Sequence, residues 1–152
     1  MEPTRIFGAK EETTLPPEAV LGAARDFSAQ RAKIWPNVTD GHFEVHESGE
    51  GWAEVTEELH PLGFWERSRY DWSQPGRVIG TVVDSNVLQP GSVWTIRATP
   101  TKEGTRVETE YRRDFLPTVR GRIGKLLNRT GPSFSRSHLR KALKAIEKHR
   151  AG

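Results

Sequence analysis

Thr105-Arg106-Val107-Glu108-Thr109-Glu110-Tyr111-Arg112-Arg113-Asp114-Phe115 alternates with period two. Arg106, Glu108, Glu110 and Arg112 make one face wholly charged, so Val107, Thr109, Tyr111, Arg113 and Phe115 turn to the other. Such a stretch is a strand with one wet face and one face on a core. Five stretches of the same texture precede it: His42–Ser48, Gly51–His60, Phe64–Ser73, Val78–Asp84 and Ser92–Pro100. Gly49-Glu50-Gly51, His60-Pro61-Leu62-Gly63, Gln74-Pro75-Gly76, Gln89-Pro90-Gly91 and Lys102-Glu103-Gly104 separate them, each with the Gly or Pro that a tight connection requires. Parallel strands need a helix-length crossover between them, and none interrupts this run, so it reads as an antiparallel meander.

The flanks are helical. Arg5–Lys10 reads as one more short strand, followed by Leu15-Pro16-Pro17-Glu18, where proline in a first turn and an acid at the positive end of the dipole mark a helix start. Val20, Ala23, Ala24 and Phe27 then give one apolar helical face. Ser28–Trp35 reads as a second short helix, ended by Trp35-Pro36 because a residue before proline is pushed out of the helical region. Downstream, Val119, Ile123, Leu126, Leu127, Thr130 and Phe134, then Leu139, Ala142, Leu143 and Ile146, trace an apolar stripe through Pro117–Arg150. Gly131-Pro132 breaks or kinks it. Uninterrupted, that segment would be about 50 Å long. A curved antiparallel sheet of six to seven strands with one apolar face needs a cover, and this long C-terminal helix is the amphipathic element available. The expected class is α+β, one domain over residues 1–152.

Composition limits the chemistry. The chain has 152 residues, enough for one core, and 33 of them are Leu, Ile, Val or Phe, enough to bury one. Cysteine is absent, which excludes disulfide scaffolds, thiolate metal sites and cysteine nucleophiles. No apolar run approaches the roughly 20 residues of a membrane span, and Met1–Lys10 lacks the apolar core of a secretory signal, so a soluble, cytoplasmic protein is expected. The net charge of +3 is unevenly spread: Pro117–Gly152 holds ten basic residues and one acid, Glu147, while Met1–Leu116 carries a net charge of −6. The basic segment is either a solvated face answering the acidic remainder of its own domain or a contact for anionic lipid or nucleic acid.

Phe27 to Trp35-Pro36 after a proline-led helix, Arg67-Ser68-Arg69-Tyr70-Asp71-Trp72 in the middle, and Gly104-Thr105-Arg106-Val107 opening the last strand follow one another in an order that resembles the START-like superfamily, also called SRPBCC. Within it the chain is most similar to bacterial polyketide cyclase/dehydrase-like proteins, over nearly its whole length. The resemblance implies a helix-grip fold, in which a curved sheet wraps the C-terminal helix around a deep cavity. That cavity would hold a lipid-, polyketide- or quinone-like molecule, and the fold does not dictate one activity.

The inward faces nominate the lining. Trp94, Ile96, Thr109, Tyr111, Arg113 and Phe115 come from the last two strands. Phe43 and Val45, then Ala53, Val55 and Leu59, are inward on the first two strands of the meander, and Phe64, Tyr70 and Trp72 on the next, where Trp65 contests the parity. Trp35, Ile123 and Leu127 complete the ligand-binding set. An inward arginine needs a partner. Arg113 either pairs at the rim, with Asp114, Glu57 or a helix carbonyl, or joins Tyr111 as a polar anchor for a ligand carbonyl, enolate or carboxylate. Glu57 shares the inward parity of Val55 and Leu59 and is either a rim ion pair or a proton carrier. Gly121 and Gly124 either permit close packing of the helix or leave room for a ligand. The catalytic candidates are therefore Tyr111, Arg113 and Glu57, and the chemistry that the resemblance implies for them is a cyclase or dehydratase reaction on a polyketide-like carbonyl substrate, with no cofactor required.

Other chemistries fare poorly. His42 and His46 lie on one strand face roughly 13 Å apart, too far to share a metal, and no metal site is expected. There is no phosphate loop, dinucleotide fingerprint or serine elbow. The basic segment offers only Asn128 and Phe134 for reading or stacking bases, so nucleic acid is not the first reading and peripheral contact with an anionic membrane through 117–150 ranks beside it. The protein is expected to be a monomer or homodimer with an apolar small molecule as its partner.

Overall fold

The computed structural model describes residues 5–36, 38–59, 63–127 and 131–151, with backbone alone at 38–42, 59, 131–134 and 151. Seven antiparallel strands form one sheet: β1 (Arg5–Thr13), β2 (Val38–Gly49), β3 (Trp52–Leu59), β4 (Phe64–Asp71), β5 (Arg77–Ser85), β6 (Val93–Pro100) and β7 (Thr105–Arg113). Their order is β1-β7-β6-β5-β4-β3-β2, so β2 to β7 are a meander and β1 joins its far edge. The helices α1 (Pro17–Ala24) and α2 (Arg31–Ile34) carry the chain from β1 at one edge to β2 at the other. The C-terminal segment is two helices, α3 (Val119–Leu127) and α4 (Gly131–Ala151). The expected break at Gly131-Pro132 thus falls at the start of α4, and the single long helix becomes two.

Register shifts in β2, between Val38 and Phe43 and between Val45 and Glu47, and in the β4–β5 pairing at Arg67 and Ser68, bend the sheet. Its concave face is covered by α1, α2 and α4, and the core lies there: Val20, Ala24, Val55, Val78, Ile96, Val107, Leu139 and Ala142 are all fully enclosed. The α4 helix rests on β1, where Ser135 Oγ donates to the Gly8 carbonyl at 3.0 Å and Arg140 pairs with Glu11 at 2.6 Å. At the other end Gly104, at φ +155°, lies so close to Thr13 that a Cβ there would sit 2.1 Å from its carbonyl oxygen, and Thr105 Oγ1 donates to the Leu15 carbonyl at 2.7 Å. That contact locks β7 to the β1–α1 corner.

Parity is settled where the sequence left it open. Phe64, Ser68 and Tyr70 are buried while Trp65 is only partly so, which turns Trp65 to the convex side of β4. Two expectations are corrected. Val45 lies opposite buried Val55 but stays 43% exposed, because β2 is the sheet edge and has a neighbour on one side only. The apolar stripe of the C-terminal segment does not face one way: Leu139, Ala142, Leu143 and Ile146 of α4 are buried, whereas Val119, Ile123, Leu126 and Leu127 of α3 are exposed. The residues of α3 that pack inward are Gly121 and Gly124. Thr130 lies outside the described residues, as does the Phe134 side chain.

Candidate ligand-binding site

Two ion pairs, one buried and one partly buried, organise the concave face. The α2 helix, held in register by Arg31 N donating to the Ser28 carbonyl at 3.0 Å, turns Arg31 toward the sheet. Its Nε and Nη2 donate to the two oxygens of Glu57, each at 3.2 Å, and its Nη1 donates to the carbonyls of Ala24 at 3.0 Å and Asp26 at 3.3 Å. The Tyr70 hydroxyl donates to Glu57 Oε1 at 2.5 Å, and the Phe27 ring lies under the guanidinium at 4.5 Å. Burial and the Glu57 carboxylate push the Tyr70 phenol well above its usual range. All of this sits in a buried environment, so Glu57 is not at the rim, and its cation comes from α2.

Glu66 stands directly opposite Glu57 in the β3–β4 ladder. Two carboxylates at such a position repel, and Glu66 has its own partner, Arg113 Nη1 at 3.3 Å. Burial pushes the Glu66 carboxyl up, against the pull of Arg113. Arg113 is at the end of β7 and Glu66 is on β4, three strands away, about 14 Å across a flat sheet. Their contact is therefore a chord across the concavity.

Around Tyr111 the interior is rich in donors. Its ring stacks on Phe7 at 5.0 Å, lies 6.5 Å from Trp94, and carries the Arg113 guanidinium at 5.0 Å. Trp94 is paired with Tyr111 in the β6–β7 register, and Thr109 faces Ile96 one step along. Thr109 Oγ1 and Arg113 Nε are buried and find no hydrogen-bond partner among the described residues, and buried Trp94 Nε1 makes no regular hydrogen bond, its N–H acting on the nearby Tyr111 hydroxyl at longer range. Burial raises the Tyr111 phenol to about 12, with Arg113 opposing, so it stays a protonated O–H at any working pH. From the helix side His138 of α4 stacks on Trp35 at 6.1 Å, and Trp35 meets the Trp94 edge at 5.5 Å. Burial, and then the nearby Arg113 and Lys141 charges, lower His138 to about 4 and keep its ring neutral.

The residues nominated from the sequence thus divide. Trp35, Tyr70, Trp94, Ile96, Thr109, Tyr111 and Arg113, with Val55 beneath them, gather on the concave side. Trp72 packs against the same core, beside Phe27 at 6.3 Å. Phe43 is half-buried near the β2 edge, and the Leu59 side chain lies outside the described residues. Phe115 belongs to a separate small cluster with Phe64, Val82, Val87 and Leu88. Ile123 and Leu127 are turned outward, a correction that follows from the glycine face of α3. Arg31, Glu66 and His138 were not foreseen. Glu66 shares the parity of Phe64 and Tyr70 and was readable from it; Arg31 needed the tertiary fold. Among the described residues no group of three or more His, Asp or Glu is placed to hold a metal ion, and no helix is long and apolar enough to cross a membrane.

No protein-family model matches the chain, and no curated protein sequence does. Solved structures do. A protein from Thermus thermophilus, TTHA0849, is similar at TM-score 0.75 and 17% identity, over 95% of this chain and 99% of that one. A START superfamily protein from Mycobacterium smegmatis is similar at TM-score 0.71 and 12% identity, over 94% and 97%. The Zhui aromatase/cyclase from Streptomyces sp. R1128 is similar at TM-score 0.62 and 19% identity, over 94% and 91%. At these identities the likeness shows the fold alone, and that fold is the helix grip, a curved antiparallel sheet closed over by a C-terminal helix.

Proposed function

We propose that the concave interior between the sheet and α4 binds an apolar small molecule carrying a hydrogen-bond-accepting oxygen, of the lipid, polyketide or quinone kind. The observation that carries this reading is the set of buried polar atoms around Tyr111: Thr109 Oγ1 and Arg113 Nε, without a hydrogen-bond partner among the described residues, and Trp94 Nε1, which lies near the Tyr111 hydroxyl without forming a regular hydrogen bond. Each such group costs about 1–3 kcal/mol when left unsatisfied. An oxygen of a bound molecule would meet the N–H groups, while Trp35, Val55 and Ile96 supply the apolar contact. A second reading, cyclase or dehydratase chemistry on a carbonyl ligand, draws on Glu66. Its carboxyl is raised by burial and held by Arg113 beside this group, whereas both oxygens of Glu57 are taken by Arg31.

Native mass spectrometry of protein purified from its own host, set against the denatured mass, is the first test: an added mass lost on denaturation is expected. Binding of anthraquinone against anthracene then reads the donors, because the two differ by the acceptor oxygens. The quinone is expected to bind about tenfold tighter or more. Trp94→Phe with Arg113→Met should abolish that preference and leave anthracene affinity within a few-fold. No added mass and no shift in melting temperature with either compound would remove the proposal. Conversion of a bound carbonyl compound that stops in Arg113→Ala, with binding retained, would select the enzymatic reading.

A further inference from the structure

The α3 helix is turned inside out. At about 100° per residue, Val119, Ile123, Leu126 and Leu127 fall within an arc of about 100°, bordered on one side by Arg120 and on the other by Arg122. Gly121 and Gly124 occupy the opposite face. The exposed face is the apolar one: Val119 is 75%, Leu126 57%, Leu127 49% and Ile123 38% accessible. The glycine face is pinned. A Cβ on Gly121 would lie 1.8 Å from the Leu116 carbonyl oxygen, and one on Gly124 would lie 2.5 Å from Val87 Cγ2. Thr118 caps the helix, its Oγ1 accepting from Gly121 N at 3.1 Å. Rotating α3 to bury its leucines would drive side chains into a seam that admits only hydrogen, so the apolar face is held outward by packing.

We propose that α3 is a docking surface for an anionic lipid bilayer. Its apolar arc would enter the headgroup boundary while Arg120 and Arg122 remain at the lipid phosphates, the arrangement of an interfacial helix. Charge chooses this occupant. No acidic residue occurs between Asp114 and Glu147, and Pro117–Gly152 carries a net charge of +9. A second copy of the chain laid on α3 would bring two such cationic borders together with no acid on either to neutralise them. A nucleic acid would engage the cations but would leave four apolar side chains without a role.

Co-sedimentation with vesicles of phosphatidylcholine alone, and of phosphatidylcholine mixed with an equal amount of phosphatidylglycerol, is the test. Binding to the mixed vesicles, weakened by added salt, is expected; phosphatidylcholine alone should retain little. Leu126→Ser with Leu127→Ser should lower partitioning about tenfold per leucine, because these side chains leave water only on the membrane. Arg120→Gln with Arg122→Gln, which leaves the apolar arc untouched, should cost about fivefold per charge. Equal binding by wild type and both variants would overturn the proposal. So would light scattering that finds a dimer dispersed by the leucine variant without vesicle binding, or salt-sensitive binding to double-stranded DNA that the leucine variant retains while vesicles are ignored.

Discussion

Glu57 and Glu66 face each other across β3 and β4, and the interior tolerates them because each has a separate arginine brought from elsewhere in the chain. The Arg31 side of this arrangement is closed: carboxylate, guanidinium, phenol and two backbone carbonyls satisfy one another. Breaking a buried pair leaves an uncompensated charge, which costs about 3–5 kcal/mol, while replacing both members by apolar groups is often near neutral. Glu57→Gln should therefore lose about 3–5 kcal/mol in guanidinium unfolding followed by tryptophan fluorescence, and Arg31→Met with Glu57→Leu should recover most of it. A loss below about 1 kcal/mol in the single variant would mean that water reaches the pair. The inward direction of Glu57 was legible from its alternation with Val55. Its partner was not, since the pair spans 26 positions and no local pattern links a four-residue helix to a strand face.

At the scale of the element, glycine has opposite meanings in α1 and α3. Helix propensity alone favours alanine over glycine by up to about 1 kcal/mol in both. Gly22 of α1 has open space where a Cβ would go, so Gly22→Ala should raise stability by about 0.5–1 kcal/mol. Gly121 of α3 has the Leu116 backbone there, which cannot step aside as a side chain can, so Gly121→Ala should lower stability by about 1–3 kcal/mol. Amide hydrogen exchange checks the cause: protection should fall across α3 in Gly121→Ala and remain unchanged on the core strands. Equal effects of the two substitutions would mean that the α3 seam is not tight. The sequence offered both meanings for Gly121 and Gly124, and the choice rests on Leu116, Val87 and Phe115, which reach the seam only once β7 and the loop after β5 are in place. The same seam turns Ile123 and Leu127 outward, since helical spacing fixes which residues share a face but not which face turns inward.

For the whole molecule, the meander was legible because its strands alternate cleanly and its turns carry Gly or Pro, whereas the pairing of β1 with β7 joins the two ends of the fold and has no local signature. The covering of the sheet by α4 has a consequence for pH. It places His138 against Trp35 with its ring neutral, at about 4 compared with an ordinary value near 6.5. The unfolded chain takes up this proton as pH falls below about 6.5 and the folded protein does not until about 4. The contribution of His138 is therefore fully present above about pH 6.5 and is lost across that window, by about 1.4 kcal/mol per pH unit and about 3 kcal/mol in all. Carboxylates titrate in the same range, so the informative quantity is the difference between wild type and His138→Phe, which keeps a ring on Trp35 but cannot take the proton. Unfolding free energies measured at intervals from about pH 7 to about pH 4 should converge, the wild type losing its advantage or becoming the less stable of the two as acid is added. Parallel curves would mean that the His138 ring is protonated in the folded protein, and that α4 does not seal this side of the concave face.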